Sequence, residues 1–128
     1  MERFLWVCLA GAMGTGTRYL VALWAGGRLG TVFPYGTLIV NVVGCFLIGL
    51  VMQLAMSLAA FPVTLRFALT TGFLGGLTTY SSFTYETTKL LQEGARGEAA
   101  VNLVVTTVGG FGAVVMGLLV ARWLTRGG

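Results

Sequence analysis

Four apolar runs, each long enough to cross a bilayer, constrain the fold of this 128-residue chain more than any other feature. A hydrocarbon core of roughly 30 Å requires about 20 apolar residues of α-helix. Only short connections separate the runs, so no soluble domain is expected outside the bilayer. The sequence predicts an all-α integral membrane protein with one four-helix domain over residues 1–128 and spans at about residues 4–23, 36–58, 63–90 and 99–124.

The composition supports this prediction and argues against two other classes of protein. Apolar residues make up 56% of the chain, charged residues 9%, and the mean hydropathy is +0.88. The net charge is +4, but the basic residues are scattered between apolar runs, which argues against a nucleic-acid partner. There is no His or Asp and no paired carboxylate, so we predict no catalytic residue and no enzyme activity.

The distribution of basic residues does not indicate one orientation in the membrane. An even number of spans places both termini on one side, and orientation follows the Lys and Arg bias between the two faces. The two faces carry equal numbers: Arg3, Arg66, Arg122 and Arg126 on one, and Arg18, Arg28, Lys89 and Arg96 on the other. This balance predicts dual topology, and four short helices leave so little enclosed space that we expect an antiparallel homodimer.

The third run contains an unusual segment at residues 72–83, with the sequence GFLGGLTTYSSF. Gly75 and Gly76 are followed, after Leu77, by two threonines, which predicts a break in the helix at membrane depth. Such backbone is tolerated only where it is buried in protein or lines a wet cavity. Freed carbonyls there would suit a small hard cation.

Hydroxyl and aromatic side chains follow the predicted break. Tyr80 and Phe83 lie one helical turn apart, with Ser81 and Ser82 between them. Aromatic ring edges are electropositive, so ring edges and hydroxyl donors could replace water around a small anion without a full positive charge. Packing against neighbouring helices is the usual role of such rings, but it does not account for the surrounding hydroxyls.

Polar residues in the first two spans allow two roles each. Arg18 either extends to the interface beside Tyr19, or supplies charge at a pore mouth or a tie to helix ends. Asn41 binds either a neighbouring helix or a ligand, and Gly44 leaves space beside its amide.

Three further polar residues lie close to the predicted core. Glu86 is expected to cap a helix, or to pair with Arg18 or Lys89 near the interface, in preference to handling ions. Asn102 and Thr106 share one face of the fourth helix, where they extend a polar path or form hydrogen bonds between helices.

Three motifs together resemble the Fluc fluoride channels, also called the CrcB family. Residues 72–83 resemble the family's third-helix signature, residues 34–49 its second-helix signature, and residues 14–19 its first-helix glycine-rich segment ending in Arg. The resemblance extends over the whole chain and includes its length and four-span layout.

This resemblance implies a dual-topology antiparallel homodimer with two separate pores that let fluoride leave a cell passively. It also implies a structural sodium ion on the two-fold axis, held by the backbone carbonyls of Gly75 and Thr78 from both subunits. The family's pore residues correspond to Asn41, Tyr80, Ser81, Ser82 and Phe83, and its fourth-helix polar track to Asn102 and Thr106. The expected location is the plasma or inner membrane, as a multi-pass protein.

The chain departs from the family pattern at several positions. Tyr80 stands where the family usually has Phe, Ser82 where it often has Thr, and the polar track continues through Gly110 and Val114. The main alternative is a proton-coupled small multidrug exporter, which needs a carboxylate within the first span, and residues 4–23 contain none. A non-transporting assembly subunit would leave the hydroxyl and aromatic cluster unexplained.

Overall fold

The computed structural model describes residues 1–126 and contains only helices and their connections in that range. The helices are α1 (Glu2–Leu29), α2 (Tyr35–Ser57), α3 (Val63–Phe67), a π-helical segment (Ala68–Leu74), α4 (Gly75–Leu77), α5 (Tyr80–Gln92) and α6 (Arg96–Arg126). The elements from α3 to α5 together occupy the third predicted span. The prediction of an all-helical chain with four helical stretches is therefore confirmed over the described residues.

Proline and glycine set several of the helix boundaries. Pro34 and Pro62 immediately precede α2 and α3, where a missing N–H costs no helical hydrogen bond. Gly30 and Gly94 have φ angles of 91° and 80°, a conformation that only glycine adopts readily, and they lie just beyond α1 and α5. The connections are consequently short and sharply defined.

Glycines also allow the helices to approach one another closely. A Cβ added to Gly14 would collide with the carbonyl of Phe73, so α1 lies directly against the π-helical segment. Gly49 and Gly117 allow equally close packing of α2 against α6. These two helices share the most extensive interface between helices of the chain. Small residues permit such packing in lipid, where burial alone does not drive helix association.

The outer surface of the chain is strongly apolar. Within residues 1–126, α2 and α6 are long and apolar enough to cross a membrane by length and composition. Large side chains of α6 are openly exposed, including Phe111 and Trp123, which are both 75% exposed. A surface of this kind requires lipid or a partner protein to cover it.

Candidate functional site

The backbone leaves helical geometry at Thr78 and Thr79, between α4 and α5. Thr78 has φ −86° and ψ 155°, and Thr79 has φ −152° and ψ 117°, so both residues are extended. The π-helical segment precedes this point, and Leu74 and Leu77 pack there in a core with Val40. A short stretch of extended backbone between two helices leaves amides and carbonyls that need partners from elsewhere.

Asn41 supplies two of these partners from the second turn of α2. Its Nδ2 donates to the carbonyl of Thr79 at 3.0 Å, and its Oδ1 accepts from the backbone N–H of Thr79 at 2.8 Å. The amide therefore pairs with both polar groups of one residue, as a neighbouring strand would. Because Asn carries two N–H donors, one of them remains for another acceptor. The space beside Gly44 holds the methyl group of Thr78.

Arg18 supplies a third partner from α1. Its Nε donates to the carbonyl of Gly76 at 3.0 Å, across 58 residues of sequence. In an unbroken helix this carbonyl would accept from the amide four residues later, and the interruption removes that bond. This bond ties α1 to the end of α4.

The carbonyls of Gly75 and Thr78, on either side of the interruption, have no donor among the described residues. The hydrogen bonds of residues 1–126 include none to these two oxygens. Gly75 is also exposed on the single chain. The same part of the chain contains no group of three His, Cys, Asp or Glu side chains that could hold a metal ion. Backbone carbonyl oxygen is a donor type that suits hard cations.

Hydroxyl groups surround the start of α5. The Oγ1 of Thr79 accepts from the backbone N–H of Ser82 at 3.2 Å, which caps the helix. The same Oγ1 lies 3.3 Å from the Oγ of Ser81 and 3.2 Å from the Oγ of Ser82. Three hydroxyls thus meet at the N-terminal, electropositive end of α5.

The two aromatic residues of α5 form a tilted pair. The ring centroids of Tyr80 and Phe83 are 6.1 Å apart, and their planes make an angle of 53°. Phe83 is 7% exposed, whereas Tyr80 is 78% exposed on the single chain. The inner ring is therefore fixed by packing, and the outer ring is free to meet a partner.

A cavity of about 450 Å³, here called the break cavity, lies beside the interruption. Asn41, Tyr80, Phe83 and Thr106 line it together with the backbone around the break. The cavity brings together four of the seven predicted pore residues. Ser81, Ser82 and Asn102 do not line it.

A second cavity of about 640 Å³, here called the loop cavity, lies between the α1–α2 connection and α5. Ser82, Glu86, Lys89 and Thr37 are among its lining residues. Tyr80 and Phe83 line the break cavity, so α5 contributes to both spaces.

Glu86 does not pair with Arg18 or Lys89 as expected. The Oγ1 of Thr37 donates to Glu86 Oε1 at 2.8 Å, and Lys89 lies 3.8 Å from Glu93. The expectation is wrong because α5 turns Glu86 toward the start of α2, while Lys89 is one turn from Glu93 on its own helix. Thr37 was not predicted as a partner, although its position one turn before Asn41 places both on one face of α2.

Asn102 is 1% exposed and belongs to a buried network between α5 and α6. Its Nδ2 donates to Thr87 Oγ1 at 2.8 Å, and its Oδ1 accepts from Thr106 Oγ1 at 3.3 Å. Thr87 in turn donates to the carbonyl of Phe83 at 2.7 Å. Sequence reasoning missed Thr87, whose spacing of four residues from Phe83 was the available signal.

Comparison with known proteins relates the chain to one group. The family model described as "CrcB-like protein, Camphor Resistance (CrcB)" matches residues 5–118. A protein of Citrifermentans bemidjiense named "Fluoride-specific ion channel FluC" is 48% identical over 124 residues, covering 97% of this chain and 100% of the relative. Proteins of the same name from Geobacter sp. (strain M21) and Sorangium cellulosum are 49% and 44% identical over 97% and 99% of the chain, and the match covers 100% of each relative.

Proposed function

The chain belongs to the CrcB family, and from this premise we propose that it is a passive, fluoride-specific ion channel of the cell membrane. The observation that carries the proposal is the match, over nearly the full length, to relatives named fluoride-specific ion channels. An ion channel is not an enzyme, and no catalytic residue is assigned. A proton-coupled exporter is disfavoured because Glu2 is the only acid of α1 and lies at its first residue.

A channel of this kind protects a cell without coupling to ATP or protons. Neutral hydrogen fluoride enters from an acidic medium and releases an anion that cannot cross lipid. A membrane potential of 100 mV is worth about 2.3 kcal/mol per unit charge. With a passive path open, this voltage would hold internal fluoride about fiftyfold below the external concentration, since about 1.36 kcal/mol corresponds to a factor of ten.

We assign the fluoride path to the residues that follow the break. Asn41 has one N–H left for an anion, and the rings of Tyr80 and Phe83 adjoin it in the lining of the break cavity. Ser81 and Ser82 add hydroxyl donors at the positive end of α5, and Thr106 continues the lining on α6. These partners are neutral, so they would hold fluoride weakly enough to release it.

We assign Asn102 to the support of this path and Glu86 to its entrance. Asn102 supports it from behind, because its bond to Thr87 links α6 to the turn that carries Phe83. The partly buried Glu86 and its partner Thr37 adjoin Ser82 in the loop cavity, which we assign as the entrance to the path.

We propose an antiparallel homodimer of dual topology that spans the plasma or inner membrane several times. The exposed apolar side chains of α6 and the exposed Gly75 would be covered by the second copy. The interruption at Thr78 and Thr79 would then lie at membrane depth on the dimer axis. Termini labelled in cells should be reached from both membrane faces, and labelling from one face alone would reject dual topology.

We further propose that the carbonyls of Gly75 and Thr78 hold a structural sodium ion. The donor set fits, because these two carbonyls lack hydrogen-bond partners in the described residues and two copies would supply four oxygens. The ion would balance the carbonyl dipoles where the two copies meet. Replacing sodium by N-methylglucamine should lower the melting temperature of the purified dimer, and an unchanged melting temperature would reject the site.

The decisive experiment for the channel is efflux from liposomes that contain the purified protein. A fluoride electrode should record rapid efflux when valinomycin provides a path for potassium, and a chloride electrode should record no more than protein-free liposomes give. The variant Phe83→Ile serves as the matched control. It alters the ring pair and keeps the protein in the membrane, so its fluoride efflux should be slower than that of the unaltered protein. Absent fluoride efflux, or chloride efflux of equal rate, would reject the assignment.

A further inference from the structure

Two arginines from different helices converge on one aromatic ring. The guanidinium carbon of Arg3, in the first turn of α1, lies 5.3 Å from the ring centroid of Phe67. The guanidinium carbon of Arg66, in α3, lies 5.1 Å from the same centroid. The two positive charges are therefore no more than about 10 Å apart. Arg3 and Arg66 are called the arginine pair below.

The arginine pair has no negative partner in the described part of the chain. Neither guanidinium lies within 4.0 Å of a carboxylate in residues 1–126, where the recorded ion pair is Lys89 with Glu93. Neither side chain donates a recorded hydrogen bond in that range. An aromatic ring attracts the charge of a guanidinium, but it offers no paired oxygen acceptors for the five N–H donors. Two unpaired guanidiniums that lie against the same ring leave their N–H donors open to an anion.

The surroundings of the pair are those of a membrane boundary. Arg3 is exposed, and Arg66 and Phe67 are partly exposed. Val63 and Leu65, which lie beside Arg66 in α3, are 48% and 44% exposed. A charged head beside open apolar surface matches the two parts of a phospholipid, whose phosphate lies at the level where a span begins.

We propose that the arginine pair binds the phosphate of an anionic phospholipid. The proposal depends on the membrane location of the chain and on no property of the fluoride path. Guanidinium groups bind phosphate oxygens in pairs, which lysine cannot do, so the geometry favours a phosphate over a diffuse attraction to the surface. A free phosphate ion would use the arginines but would gain nothing from the exposed side chains beside them.

The test is native mass spectrometry of the detergent-purified protein titrated with phosphatidylglycerol, with phosphatidylcholine of the same acyl chains for comparison. The double variant Arg3→Gln/Arg66→Gln should weaken phosphatidylglycerol binding about thirtyfold, because each arginine of the pair would lose a direct contact with the phosphate that is worth roughly a factor of five. The matched control Arg28→Gln/Arg96→Gln removes two exposed arginines elsewhere and should weaken binding less than about threefold.

A milder variant keeps the test usable if the double variant fails to fold. Phe67→Leu retains both charges but removes the ring that holds them together, and it should weaken binding about two- to fivefold. The proposal is overturned if phosphatidylcholine binds as well as phosphatidylglycerol, or if both double variants lose binding equally. Displacement of the lipid by inorganic phosphate would also overturn it, in favour of a free-phosphate site. None of these measurements involves fluoride, so a failed channel assignment would leave their outcome unchanged.

Discussion

Replacing Asn41 by two different side chains separates the two tasks assigned to it. The variant Asn41→Asp keeps an acceptor for the N–H of Thr79 and loses the donor to its carbonyl. It also puts a negative charge beside the break cavity. The variant Asn41→Ala loses both bonds to Thr79 without adding charge. Because Asn41→Asp keeps one of the two bonds that Asn41→Ala loses, a slower flux in Asn41→Asp is attributed to its charge.

The expected magnitudes differ widely. Losing a hydrogen bond typically costs about 0.5–1.5 kcal/mol, so Asn41→Ala should slow fluoride flux about tenfold through a loosened break. Two unit charges about 4 Å apart at an effective dielectric constant of about 20 interact by about 4 kcal/mol. If fluoride passes this close to residue 41, Asn41→Asp should slow flux by roughly a factor of a thousand.

Fluoride efflux from liposomes measures both variants, and dimer mass in detergent confirms that they assemble. Gln53→Glu is the matched control, because it makes the same amide-to-carboxylate change on α2, twelve residues and about 18 Å further along the helix. This control should keep its flux within about twofold, since the new carboxylate would lie beside Arg122, whose Nε donates to Gln53 Oε1 at 3.3 Å. Equal flux in Asn41→Asp and Asn41→Ala would refute the pore role and leave Asn41 only as a tie between helices.

Three further predictions concern the ring pair, helix packing and the tie from α1. Phe83→Ile should slow flux at least about tenfold, whereas Tyr80→Phe should change it less than about threefold because the ring edge is kept; equal effects in flux assays would contradict this. Gly14→Ala should lower the yield and melting temperature of the protein, since its Cβ collides with the π-helical segment. Gly16→Ala, which meets nothing within 4 Å, should be neutral, and matching losses would argue against close packing. Arg18→Gln should destabilise the protein by about 1.5–3 kcal/mol by removing a charged hydrogen bond to α4, and an unchanged unfolding midpoint in denaturant would contradict that tie.

Features that depend on local sequence were predictable. Apolar runs of about 20 residues predicted four helical stretches, and α2 (Tyr35–Ser57) differs by one residue at each end from the predicted span. Proline marked the starts of α2 and α3. The spacing of Tyr80 and Phe83 placed both rings on one side of α5, where they form a tilted pair.

Features that depend on distant contacts were not predictable. Arg18 reaches the carbonyl of Gly76 across 58 residues, and Thr37 reaches Glu86 across 49. Helical periodicity indicates which residues share a face of one helix, but it does not indicate which faces of different helices are in contact. The π-helical segment also lacks a sequence signal, and it packs closely against α1 at Gly14 and Gly72.

Only some of the backbone groups at the interruption between α4 and α5 have hydrogen-bond partners. This difference supports the separate roles that we propose for the residues around it. An unsatisfied backbone group in lipid costs several kcal/mol, so each freed group needs a partner. Asn41 satisfies both groups of Thr79 and Arg18 satisfies the carbonyl of Gly76. Among the described residues, the carbonyls of Gly75, Leu77 and Thr78 have no donor. Side chains thus bind groups that face the chain's own helices, and a shared cation at a dimer axis would account for the carbonyls of Gly75 and Thr78.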